Sequence, residues 1–179
     1  MSLGLTGRLR AFAHPVRLRI LSLLTGAPMT AAEVARELDL THANASYHLR
    51  LLLAAGEIEI EGEERVRGGI AKRYRHHPGT KFDEPTPDMP DDLPPTAEHL
   101  LIHEAIAAEL RRRSRAMLRA KAHVTDAELW VAPEAYAEAH EHLAAASRAI
   151  HRAALAPRTP GAIRVSATIA LFRMDPEAP

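Results

Sequence analysis

Cysteine is absent from all 179 residues, so disulfides and thiolate metal sites are excluded outright. Aromatic residues make up only 4%, which leaves few rings from which a ligand pocket could be built. No apolar run approaches the roughly 20 residues needed to cross a bilayer. The opening segment "MSLGLTGRLRAFAHP" sets Arg8 and Arg10 inside its only apolar patch and shows no signal-peptide core. These absences together predict a cytoplasmic protein with no membrane association. Lysine is also rare: Arg outnumbers Lys 20 to 3, which we read as genomic codon bias.

What is present is unevenly spread. The formal charge is zero, but residues 1–80 hold 11 Arg/Lys against 8 Asp/Glu, and residues 81–179 hold 12 against 15. Five of the eleven histidines also fall in the first 80. The imbalance is modest, and alone it does not identify a nucleic-acid binder. A length of 179 residues suits one ordinary domain, or a small one with an appendage.

Helical signals crowd the first 56 residues. Residues 6–13 have helical spacing, and "HPVRLRILSLL" opens a second helix with Pro15 at its first position, where a missing N–H costs nothing. Gly26 and Pro28 end it. Thr30 and Glu33 have the capping-box spacing ahead of Val34, Ala35 and Leu38, predicting a third helix of about eight residues. Three residues later Thr41 caps a fourth, which Gly56 stops after Ala55. On that fourth helix Ala45, Leu49, Leu52 and Leu53 share one face. Ala43, Asn44, Tyr47, Arg50 and Leu51 lie opposite, Thr41 and His42 sit at the tip, and Ser46 and His48 flank. The outer face is thus rich in hydrogen-bonding groups and poor in charge, unlike an ordinary solvated face.

The rhythm then changes. In "EIEIEGEERVRGGIAKRYRHH" Ile58 and Ile60 alternate with glutamates, the two-residue period of a half-buried strand. Gly68 and Gly69 mark a turn, and Ile70 to Arg75 returns as a second strand. The hairpin carries Arg65 and Arg67 near its tip and Lys72, Arg73 and Arg75 on its return, with His76 and His77 expected as a frayed end. Residues 77–97 are rich in proline and acidic residues and read as an extended linker. A long helix is expected from Glu98 to about His123, with "RRRSR" suited to the negative end of its dipole. "AELWV", the helix from Pro133, and "GAIRVSATIALF" then read as a small strand-helix-strand unit. The fold class expected is mainly α with small β: a winged helix-turn-helix domain over 1–76, a linker over 77–97, and a dimerisation helix plus α/β unit over 98–179.

Helix, three-residue turn, helix and basic-tipped hairpin form an arrangement suited to duplex DNA. The major groove admits one helix, and a tight turn lets the first helix brace while the second enters. Thr41, His42, Ala43, Asn44, Ser46, Tyr47, His48 and Arg50 are the candidate groove-facing residues. Asn44 can bond bidentately to adenine, and Arg50 to guanine or phosphate. Arg65, Arg67, Lys72 and Arg73 are the candidate wing contacts to the backbone or minor groove. One helix reads too few base pairs to find a site, so a homodimer on a near-palindromic operator is expected.

"AFAHPVRLRILSLL…MTAAEVARELDLTHANASYHLRLLLAAGEIE" resembles the DNA-binding domain of the ArsR-type bacterial repressors, over about residues 8–76. Pro15, Arg17, Ile20, Leu21, Ser46, His48, Leu49 and Gly56 carry the likeness. His42 stands where that family commonly has Gln, Tyr47 where a second His or Gln is usual, and Glu57 where a leucine follows the glycine. The resemblance implies a dimeric repressor that releases its operator when an effector arrives.

The metal site that many such relatives build from cysteines is impossible here, because "AAEVARELDL" has no thiol. His99 and His103, four apart with Glu98 and Glu104 beside them, are weak candidates for a metal; surface histidines are the plainer reading. Trp130, Tyr136 and Phe172 are candidates for a small-molecule effector pocket, or else ordinary core. No cofactor is expected. Catalysis finds no support: Ser46, His42 and His48 share a helix, but no acid orients the histidines and no oxyanion turn accompanies them. A winged helix docked on another protein remains the rival from another class.

Overall fold

The computed structural model describes residues 5–66, 69–77, 95–118 and 122–177. Most of the expected linker, 78–94, and Arg67 lie outside the described residues. Within them are six helices and one three-stranded antiparallel sheet.

The helices are α1 (Leu5–Phe12), α2 (Pro15–Gly26), α3 (Ala31–Leu38) and α4 (His42–Ala54), followed after the sheet by α5 (Ala97–Ser114) and α6 (Pro133–Arg152). Local chemistry sets the early boundaries. His14 caps α2 by accepting the Val16 N–H at its Nδ1, 3.2 Å away. The Thr30–Glu33 capping box forms in both directions: the Glu33 N–H donates to the Thr30 hydroxyl at 3.3 Å, and the Thr30 N–H donates to Glu33 Oε2 at 2.7 Å. Asp39 ends α3 in the left-handed region, at φ 55° and ψ 52°, a conformation that short polar residues tolerate. That one residue turns the chain, and Thr41 starts α4 by accepting the Asn44 N–H at 3.2 Å.

Ile20, Leu24, Val34, Leu49 and Leu52 are fully buried at the junction of α2, α3 and α4. Each contributes roughly 1.5–3 kcal/mol of apolar burial, which fixes the crossing of α3 and α4.

The sheet holds β1 (Met29–Thr30), β2 (Glu59–Val66) and β3 (Gly69–Arg75) in the order β1-β3-β2. Sequence reading did not foresee β1: Thr30 both caps α3 and pairs with Arg73. Ile58 is buried as expected, but Ile60 is exposed. A register shift between Ile60 and Gly62 leaves Glu61 as an extra residue, so the two-residue alternation does not continue along β2. The strand end is not frayed either. His76 is buried, its N–H donates to the Leu24 carbonyl at 3.2 Å, and its ring lies 2.6 Å from the Glu57 carbonyl.

Two expectations for the second half need correction. The helix from Glu98 stops at Ser114 rather than near His123, and it packs against α1 and α2 of its own chain. Arg10 and Glu98 tie α1 to α5 at 3.1 Å, and Glu109, buried, accepts from Arg112 at 2.7 Å. The strand-helix-strand unit does not form: α6 is present, but 127–131 and 163–172 join no ladder, and α6 buries no residue. A strand exists only when a neighbour takes its backbone groups, and among the described residues neither segment has one.

The C-terminal region touches the rest at a few points. Arg158 pairs with Glu37 of α3, Arg113 donates to the Thr168 hydroxyl at 3.2 Å, and the Phe172 ring stacks 5.6 Å from His103. Gly26 lets this segment pass: a Cβ there would lie 2.2 Å from the Leu155 carbonyl oxygen. No helix among the described residues is long and apolar enough to cross a membrane.

Candidate nucleic-acid interface

The exposed side of α4 follows directly from its buried side. Ala45, Leu49 and Leu52 face the core, so Thr41, His42, Ala43, Asn44, Tyr47 and Arg50 are all exposed, with Ser46 half-buried. Tyr47 retains 52% of its surface, a large ring standing out from the helix. The Thr41 hydroxyl is spent on capping, which positions the tip; His42, Ala43 and Asn44 project from the first turn beside free backbone N–H groups that suit a phosphate.

His48 does not belong to this face. It is only 6% exposed, its ring lies 4.9 Å from that of His14, and its Nδ1 is buried without a hydrogen-bond partner among the described residues. The reason is rotational: His48 neighbours Leu49 on the inward side, so it supports Tyr47, whose ring meets it edge-on at 5.3 Å. Burial lowers the pKa of His48, helped by His14 and Arg17, and burial followed by Arg17 lowers that of His14. Both rings are therefore neutral at neutral pH, and neither adds charge beneath the helix.

The wing also divides. Arg65, in β2 opposite Ile70, and Lys72, in β3 opposite Glu63, are exposed. Arg73 is not presented outward. It bonds Glu64 at 2.6 Å and the Pro28 carbonyl at 2.5 Å, and lies 3.6 Å from Glu33. It clamps the hairpin to β1 and to the start of α3. Burial pushes the Glu33 carboxyl up, but bonds from Thr30 and the charges of Arg73 and Arg36 bring it below its usual value. The rest of β2 is acidic: Glu59, Glu61, Glu63 and Glu64 are all exposed along its length. Cationic surface is thus confined to the distal part of the hairpin. The role of Arg73 was hidden in the sequence because β1, which brings the neighbouring Pro28 carbonyl within reach, is only two residues long.

The other candidates do not assemble. Trp130 is 87% exposed, Phe172 lies against His103, and the Tyr136 ring sits 6.3 Å from that of His140. Among the described residues they form neither a pocket wall nor a core, and α6 buries no residue. His99 uses its Nδ1 to accept the Thr96 N–H at 3.2 Å, as a helix cap, and His103 stacks on Phe172. No group of three His, Cys, Asp or Glu among the described residues could hold a metal ion.

A comparison with curated proteins found no match. A family model described as a helix-turn-helix domain matches residues 12–59, from the end of α1 to the first residue of β2. The matched stretch holds the α3–turn–α4 geometry built above and the exposed face of α4. The chain therefore carries a helix-turn-helix domain, continued by a hairpin wing, and this supports a DNA-binding regulator.

Proposed function

We propose that the protein is a homodimeric, sequence-specific repressor of the ArsR type, binding a near-palindromic DNA operator. The observation that carries this reading is the single outward face of α4, where Asn44, Tyr47 and Arg50 stand exposed above a buried Ala45–Leu49–Leu52 stripe. Laid in a major groove, that face brings Asn44 to an adenine edge and Arg50 to guanine or phosphate, with Thr41 and His42 at the backbone. Exposed Arg65 and Lys72 supply the wing's cationic contacts. Two copies read two half-sites one helical turn apart, about 34–36 Å. The absence of thiols favours a small molecule over a thiol-bound metal as effector. Trp130, Tyr136 and Phe172 play no part in this reading.

The test is binding of the purified chain to sites selected from a random duplex library, followed by a salt titration. We expect recovery of inverted repeats and a log–log slope set by several phosphate contacts. Failure to retain any duplex at low salt would instead favour a winged helix docked on protein.

A further inference from the structure

We propose that residues 163–171 pair, antiparallel and about a two-fold axis through Ala167, with the same segment of a second copy of this chain. The proposal deepens the homodimer reading and shares its premise that two copies associate.

Two edges of the chain invite comparison. β2 is an exposed edge strand, and it carries Glu59, Glu61, Glu63 and Glu64, the charges that keep such an edge from pairing. Segment 163–172, "IRVSATIALF", has Arg164 as its sole charge, yet it joins no ladder. Ile163, Val165, Ala167, Ile169 and Leu171 recur at every second position, and the four larger ones are open: Ile163 is 84% and Val165 61% exposed, with Ile169 and Leu171 also exposed. A free edge of this composition is what chains normally charge, cover or pair.

The pattern is its own complement. With the axis at Ala167, Ile163 faces Leu171 of the other copy and Val165 faces its Ile169, while Arg164 faces Ala170 and Ser166 faces Thr168. Slipping by one residue would oppose the Ile163, Val165, Ala167, Ile169 and Leu171 set to the Arg164, Ser166, Thr168 and Ala170 set. The Ala167 carbonyl already accepts from Arg113 at 3.3 Å. In a strand, both backbone groups of one residue point to the same edge and those of its neighbours to the other. The free edge is therefore that of Arg164, Ser166, Thr168 and Ala170, and Ala167 meets its counterpart as a non-hydrogen-bonded pair.

Pairing through that edge would exchange backbone hydrogen bonds at Arg164, Ser166, Thr168 and Ala170 in each copy. The occupant argued for is a second copy because the segment's alternation is symmetric about its own centre, as an isologous contact requires.

A chain without cysteine allows a clean test. Ala167 is exposed, so Ala167→Cys is tolerated by the fold, which circular dichroism and thermal unfolding check against wild type. Opposed residues of a non-hydrogen-bonded pair lie about 4.5 Å apart at Cα, within disulfide reach. The control, Leu171→Cys, would place its two thiols on the order of 25 Å apart in the same pairing. Under mild oxidation of the full chain we expect about tenfold more covalent dimer from Ala167→Cys than from Leu171→Cys. Equal cross-linking in the two variants, or a monomeric wild type by light scattering, would overturn the proposal. Cross-linking without duplex binding would sink the operator reading and leave the seam standing; duplex binding by a dimer that does not cross-link at 167 would do the reverse.

Discussion

Three imidazoles sit where burial opposes their charge. His14, His48 and His76 all have pKa values below the usual imidazole range, with burial the leading cause in each. The unfolded chain takes up protons near pH 6.5, before the folded chain does. Stability is therefore full above that pH, falls as pH drops below it, and levels off once the pH passes the lowered folded values. His48→Gln should make the fall in Tm between about pH 6.5 and 5 shallower, because one of the three groups is removed. An unchanged slope would show that His48 is solvated rather than held beneath α4. Arg73 makes a contrasting case among the cations. Arg73→Met should lower stability by about 1 kcal/mol, discounted for its partial exposure, while leaving the salt dependence of DNA binding unaltered. A flatter salt slope in that variant would mean that Arg73 reaches phosphate after all.

At the scale of elements, α3, its turn and α4 were legible because the helix starts have a local cause: Thr30–Glu33 and Thr41 are read from spacing and side-chain chemistry, while the left-handed Asp39 that ends α3 emerged only with the fold. Which residues of α4 point outward followed from the Ala45–Leu49–Leu52 stripe, but His48, one step from that stripe, needed the packing of His14 to be placed. The wing was legible as a hairpin and not in its charge economy. Arg73 and Lys72 look alike in sequence, yet a two-residue strand, two carboxylates and the Pro28 carbonyl commit one and not the other. Arg65→Ala should accordingly weaken binding to all duplexes about equally and reduce the log–log salt slope by about 1. Base-selective loss in that variant would place Arg65 in a groove rather than on the backbone.

On the scale of the whole molecule, the chain splits into a part whose residues explain one another and a part that awaits a partner. Helices α1 to α4 with the start of the sheet enclose the buried cluster and α5 packs against α1 and α2; among the described residues, α6 and the segments around it bury almost nothing. "AELWV" and "GAIRVSATIALF" were expected as strands and neither forms one among the described residues, because a ladder is a property of two segments, and sequence names only one of them. Removing residues 122–179 should leave the helix-turn-helix core folded, with a Tm within roughly 5 °C of the full chain. It loses the Arg158–Glu37 pair, the bonds of Arg113 to Ala167 and Thr168, the stacking of Phe172 on His103, and the passage of Leu155 over Gly26, all exposed or peripheral contacts. A collapse of the core on truncation would show that the second half stabilises it far more than these contacts allow.

The central claim, that the outer face of α4 reads DNA, is tested most directly by comparing wild type and Asn44→Ala across every single-base variant of the selected operator. We expect Asn44→Ala to lose discrimination at one position in each half-site, by about 1–3 kcal/mol, and to keep the wild-type salt slope. Identical base preferences in the two proteins at all positions would contradict it.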